Sequence, residues 1–111
     1  MKTSVMQLGH HTVIALKEPI NHQNCKELEA SALGASGKSH VAMILECKEV
    51  GYLDSAALEM LLRLQDSVKE RGTLLKIVGL NPLCRDIMVA TRLINQFNVY
   101  PNVPEAIKEP S

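Results

Sequence analysis

The chain alternates between two hydrophobic periods. Thr3 to Leu8 and Thr12 to Leu16 read as strands around a Gly9, His10, His11 turn, a hairpin signal. Lys17 to Asn21 reads as loop, because Pro19 cannot continue a ladder. Asn21 or Asn24 then offers the N-cap of a first helix carrying Leu28, Ala30, Ala32 and Leu33, which Gly34 to Ser39 is expected to end. Val41 to Cys47 is an apolar run closing on charge, the mark of a buried central strand.

Gly51 to Asp54 is a turn. From about Ser55 to Arg71, Ala57, Met60, Leu61, Leu64 and Val68 recur at helical spacing, and Leu58 and Leu62 widen the stripe. Gly72 is placed to end that helix. Leu74 to Val78 reads as another buried strand. Asn81 then caps a helix with Pro82 at its first position and Leu83, Ile87, Met88 and Ala90 along it. Phe97 to Tyr100 suits a short edge strand, and Pro104 to Lys108 a last helical turn. The pattern predicts an α/β fold: a small mixed sheet of four to five strands with three to four helices packed on it. Alternation of strand and helix implies parallel pairing through right-handed crossovers.

Composition narrows the functional classes. A chain of 111 residues with 46% apolar and 22% charged side chains suits one globular domain spanning 1–111, with its core at about 3–108. Only Tyr52, Phe97 and Tyr100 are aromatic, so the core is expected to be aliphatic. Twelve basic side chains balance 12 acidic ones. No basic patch with interleaved aromatics is visible, which argues against nucleic acid as a partner. Lys69, Arg71 and Lys76 flank a helix end and read as a solvated face. The start of the chain lacks the pattern of a signal peptide, and the longest apolar run, Val41 to Leu45, is far too short to enter a membrane. Cys25, Cys47 and Cys84 fit neither a disulfide framework nor a zinc site, and free thiols suit a cytoplasmic location.

Little in the chain points to catalysis. Gly34 to Ser39 ends like a phosphate-binding loop, but Ala32 stands where the pattern needs glycine, and the segment leads from helix to strand rather than the reverse. His10, His11, His22 and His40 show no metal-ligand spacing and read as surface loop histidines. No serine or cysteine sits in a nucleophile elbow. The reading is of a non-enzymatic chain without cofactor or metal.

The most informative segment is Val50, Gly51, Tyr52, Leu53, Asp54, Ser55, Ala56, Ala57, Leu58, which puts an Asp-Ser pair at the start of the longest helix. Both residue types are favoured caps. A helix start also carries unpaired N–H groups and a partial positive charge, so a phosphate on Ser55 would be tolerated within the domain. It would add about −1.5 to −2 charges to a surface that a partner meets.

These residues resemble the STAS domain family, whose bacterial single-domain members are the anti-sigma factor antagonists. Three stretches carry the resemblance: Val13 to Leu16 through Ile20 and Asn21; Val41 to Glu46 followed by Val50 to Leu58; and Leu74 to Pro82 followed by Ile87 to Tyr100. The resemblance implies a partner anti-sigma factor, a serine kinase that binds the unphosphorylated chain, with Ser55 as phosphoacceptor and a phosphatase that resets it. The partner-binding surface it implies comprises Asp54, Ser55, Ala56 and Asn21, and the regulated process is transcription. The alternative within the family is a STAS subunit of a membrane transport ATPase complex, with Ser55 only a helix cap. Four places along the chain depart from the family pattern. Ala56 and Ala57 follow the serine where Ser or Thr and then Gly are common. Glu18, Pro19 and Asn21 stand where Gly and then Asp are common, Glu46 replaces an Asp, and Arg92 replaces a Gly.

Overall fold

The computed structural model describes residues 3–36 and 42–108. Two strands, β1 (Thr3–Leu8) and β2 (His11–Leu16), form an antiparallel hairpin closed at Gly9 and His10. Then come α1 (Cys25–Ser36), β3 (Ala42–Glu46), α2 (Ser55–Glu70), β4 (Leu74–Val78) and α3 (Pro82–Ala90). A 3-10 turn at Ile94–Gln96, β5 (Asn98–Tyr100) and α4 (Val103–Lys108) complete the described chain. The five strands lie in sequence order, β1-β2-β3-β4-β5, and every pair after the hairpin is parallel.

That order decides how the layers form. Successive right-handed crossovers advancing in one direction across a sheet put their helices on one face. Accordingly Ile14, Leu16, Met43, Leu45, Leu75 and Ile77 join the buried residues of α1, α2 and α3 in one large core. The alternate strand residues Val13, Ile44 and Val78 point to the other face, where Ala106 and Val103 of α4 meet them. The stripe expected on α2 is buried as read: Ala57, Leu58, Met60, Leu61, Leu64 and Val68, with Leu62 partly covered.

The described part of α1 runs past Leu33 to Ser36, inside the Gly34–Ser39 segment expected to end it, because buried Leu28 and Ala32 hold the helix against α2 and outweigh the weak helix propensity of one glycine. Gly37, Lys38, Ser39, His40 and Val41 lie outside the described residues, and with them most of the phosphate-loop look-alike. Leu83 does not join the core: it stands 54% exposed, and Cys84 and Met88 are the fully buried side chains of α3. Lys76 belongs to no solvated face. It sits mid-strand between Ile44 and Asn98 on the α4 side of the sheet and is fully buried. Its ammonium donates to the Ala106 carbonyl at 2.7 Å and lies 5.3 Å from the centre of the Tyr100 ring. A buried charge is tolerated when hydrogen-bonded in this way, and the long stem packs as an apolar side chain.

Candidate functional site

Two loops that are far apart in sequence meet beside the start of α2. Ile20 and Leu53, both buried, form an isolated parallel bridge. The Ile20 N–H donates to the Tyr52 carbonyl at 3.2 Å, and the Asp54 N–H donates to the Ile20 carbonyl at 3.3 Å. This seam places Asn21 and His22 against Tyr52 and Asp54.

Each oxygen of the Asp54 carboxylate has a separate task. Oδ1 accepts the Ala57 N–H at 2.9 Å and so caps α2. Oδ2 accepts the His22 N–H at 2.8 Å and lies 3.3 Å from His22 Nδ1. Partial burial pushes this carboxyl up, but the N–H groups of Ala57 and His22 and the imidazole together hold it below its usual value. Asn21 folds the turn into α1: its Oδ1 accepts from the N–H groups of Gln23 at 2.9 Å and Asn24 at 3.3 Å, and its Nδ2 reaches Tyr52 Oη at 3.4 Å. From the other side, Asn81 Nδ2 donates to the carbonyls of Val50 at 3.1 Å and Gly51 at 3.2 Å. The loop carrying the Asp-Ser pair is therefore pinned by hydrogen bonds to both of its neighbours.

Ser55 is the first residue of α2 and is exposed. Because Asp54 supplies the cap, the Ser55 hydroxyl is not used for it, and among the described residues nothing holds that hydroxyl. The reading of Ser55 as the cap is corrected at this point. Ala56 is half-buried and Ala57 fully buried under the helix. Asn21, Asp54, Ser55 and Ala56 come together as one surface, to which the fold adds His22 and the 43%-exposed Tyr52. His22 looks like any loop histidine in sequence. It stands 32 residues from Asp54, and the Ile20–Leu53 seam brings the two within hydrogen-bond reach.

The other candidates fall outside this surface. Cys25, Cys47 and Cys84 are buried thiols. Burial pushes Cys47 up to about 12, with Cys84 and Glu46 adding to the rise, and burial also raises Cys84. Neither supplies a thiolate near neutral pH. Among the described residues no group of three or more His, Cys, Asp or Glu side chains is placed to hold a metal ion. No described helix is long and apolar enough to cross a membrane.

A family model of the STAS domain matches residues 2–106. The chain belongs to the STAS domain family. Among solved structures, an anti-sigma factor antagonist from Mycobacterium paratuberculosis superposes with a TM-score of 0.85 at 21% identity, covering 96% of this chain and 91% of that one. An anti-sigma-factor antagonist domain protein from Planctomyces limnophilus gives 0.82 at 18% identity, covering 96% and 95%. The murine anion transporter Slc26a9 gives 0.80 at 13% identity, covering 93% of this chain but 18% of the transporter. No curated protein matches the chain. At these identities the structural likeness establishes a shared fold.

Two departures from the STAS pattern have visible counterparts. In the loop before α1, the Glu18 carboxylate and the Pro19 carbonyl both accept from Asn24 Nδ2, at 3.0 and 2.8 Å, so the turn is closed by side-chain bonds. Arg92, where glycine is common, adopts φ = 63°, the left-handed conformation that explains glycine's usual place there.

Proposed function

We propose that this STAS domain is a phosphorylation-switched binding module of the anti-sigma factor antagonist type. In this reading the unphosphorylated chain binds an anti-sigma factor that is a serine kinase. The kinase transfers a phosphoryl group to Ser55 Oγ, and a phosphatase removes it. The chain itself performs no chemistry.

The observation that carries the reading is the division of labour at the start of α2. Asp54 takes the capping duty, which leaves the Ser55 hydroxyl exposed and able to enter a kinase active site without loss of the cap. Phosphorylation would put about −1.5 to −2 charges on the surface formed with Asn21, Ala56 and Tyr52. The helix N-terminus stabilises that charge within the domain. A partner face matched to a neutral hydroxyl would have to bury it unpaired, and a penalty of only about 3 kcal/mol weakens binding more than about a hundredfold. Binding is thereby switched while the fold stays intact.

A second reading is a STAS component of a membrane transport complex, favoured by the occurrence of the same fold within an anion transporter. Wild type and Ser55→Asp, used as parallel baits in lysate of the source cell, separate the two. A serine kinase held by wild type and lost with Ser55→Asp supports the antagonist reading. Transport ATPase and permease subunits held equally by both baits replace it with the second.

A further inference from the structure

The two edges of the sheet are finished differently. The β5 edge is three residues long, is stopped by Pro101 and is flanked by α4. Shortness and proline are the usual means by which a sheet edge is kept from pairing with other chains. The β1 edge has neither. It is six residues long, it pairs with β2 over its whole length, and none of Thr3, Ser4, Val5, Met6, Gln7 and Leu8 is charged or a proline.

Among the described residues no helix packs over β1, because a tight turn rather than a crossover joins it to β2. Val5, opposite Ile14, stands 56% exposed on the face that bears α1 to α3. Met6 at 56% and Leu8 at 38%, opposite Val13 and His11, are exposed on the other face. These three are among the seven large apolar side chains exposed in the described residues. A free edge of this kind presents a row of backbone N–H and C=O groups, and what satisfies such a row is another extended strand.

We propose that the β1 edge docks a second copy of this chain, two β1 strands pairing antiparallel about a two-fold axis to join two sheets into one. A two-fold interface must be self-complementary, and an uncharged strand meets this condition because no like charges come opposite each other. With Met6 on the axis, Met6 faces its own copy, Leu8 faces Ser4 and Val5 faces Gln7, so apolar area is covered on both faces. The net charge of zero leaves little long-range repulsion between copies. Asn21, Asp54, Ser55 and Ala56 all lie outside β1, so the dimer does not depend on the switch proposed for them.

The test is light scattering and sedimentation of the full chain over a concentration series reaching about 1 mM. Met6→Lys and Val5→Lys serve as edge variants, one for each face, and Val89→Lys on α3 as a control. Thermal unfolding verifies that each is folded. The wild type is expected to reach dimer mass and Val89→Lys to match it. Each lysine variant is expected to dissociate about tenfold more readily: Met6→Lys sets two lysines opposite each other on the axis, and Val5→Lys removes an apolar contact and sets its charge diagonal to that of the copy. Outward-facing β1 amides should also exchange with solvent more slowly at high protein concentration. A wild type that stays monomeric throughout overturns the proposal, as does a dimer undiminished in both edge variants.

Discussion

At the start of α2 the Asp54 carboxylate accepts the Ala57 N–H at 2.9 Å, and at the start of α3 the Asn81 amide oxygen accepts the Cys84 N–H at 2.7 Å. At the end of α2, Gly72 at φ = 79° lets the Thr73 N–H reach the Val68 carbonyl at 2.9 Å. At the end of α3, Arg92 at φ = 63° lets the Leu93 N–H reach the Met88 carbonyl at 2.9 Å. The same helix is thus built twice, with the same start and stop. The differences lie in what occupies each device. Behind the cap stands Ser55 in one case and Pro82 in the other, and the left-handed stop is a glycine in one case and an arginine in the other. Capping and candidate chemistry are therefore separable: α3 shows that a cap followed by a residue without a hydroxyl makes a sound helix, so nothing structural requires a serine at position 55.

The two helix starts differ most in consequence at Ser55. Ser55→Asp is expected to weaken partner binding about a hundredfold, read by titration calorimetry. Ser55→Ala should take up no phosphate while unfolding within about 0.5 kcal/mol of wild type, as suits an exposed position without a capping role. Phosphate incorporation equal to wild type in Ser55→Ala would remove Ser55 as the acceptor.

The two caps come next. Asn81→Ala is expected to cost about 2 kcal/mol in denaturant unfolding, because it also frees the Val50 and Gly51 carbonyls. Asp54→Ala should cost about 1 kcal/mol near neutral pH. Only the second cost should depend on acid. The Asp54 carboxyl is held below its usual value of 3.8, so its stabilisation is complete above that value and is lost as pH falls through its lower, folded-state value. Unfolding curves of both variants against wild type, taken at neutral and acid pH, should converge for Asp54→Ala and stay apart for Asn81→Ala.

The two stops give the smallest effects, of opposite sign. Gly72→Ala is expected to cost about 1 kcal/mol purely through backbone strain, since an added Cβ there meets nothing within 4 Å. Arg92→Gly should stabilise by about 0.5 kcal/mol, because relief of left-handed strain is partly offset by the greater entropy of glycine in the unfolded chain. A loss of stability in Arg92→Gly would show that the arginine side chain contributes more than its backbone position costs.

Much of this was legible along the chain because it depends on near neighbours. The stripe on α2, the caps at Asp54 and Asn81 and the stop at Gly72 all follow from spacings of a few residues, and the strands at Leu74–Val78 and around Met43 follow from runs of apolar side chains. The surface around Ser55 was legible in part. Asn21, Asp54, Ser55 and Ala56 could be named in sequence, but the attachment of His22 to Asp54 depends on a bridge between two loops, which leaves no local trace. Lys76 misled for the same reason: a charge in an apolar run looks like an exit to solvent unless one knows that α4 will lie over it.

By itself the sequence determined the periodicity, and with it the kind and order of the elements, since propensity and amphipathic pattern act over a turn or a strand. Tertiary structure alone decided which faces are covered. Successive parallel crossovers sent α1, α2 and α3 to one side of the sheet and left α4 to shelter Lys76 on the other, while β1, joined by a turn rather than a crossover, kept its edge and its apolar side chains exposed. Burial is a property of what arrives from elsewhere in the chain, and no window of neighbouring residues contains it.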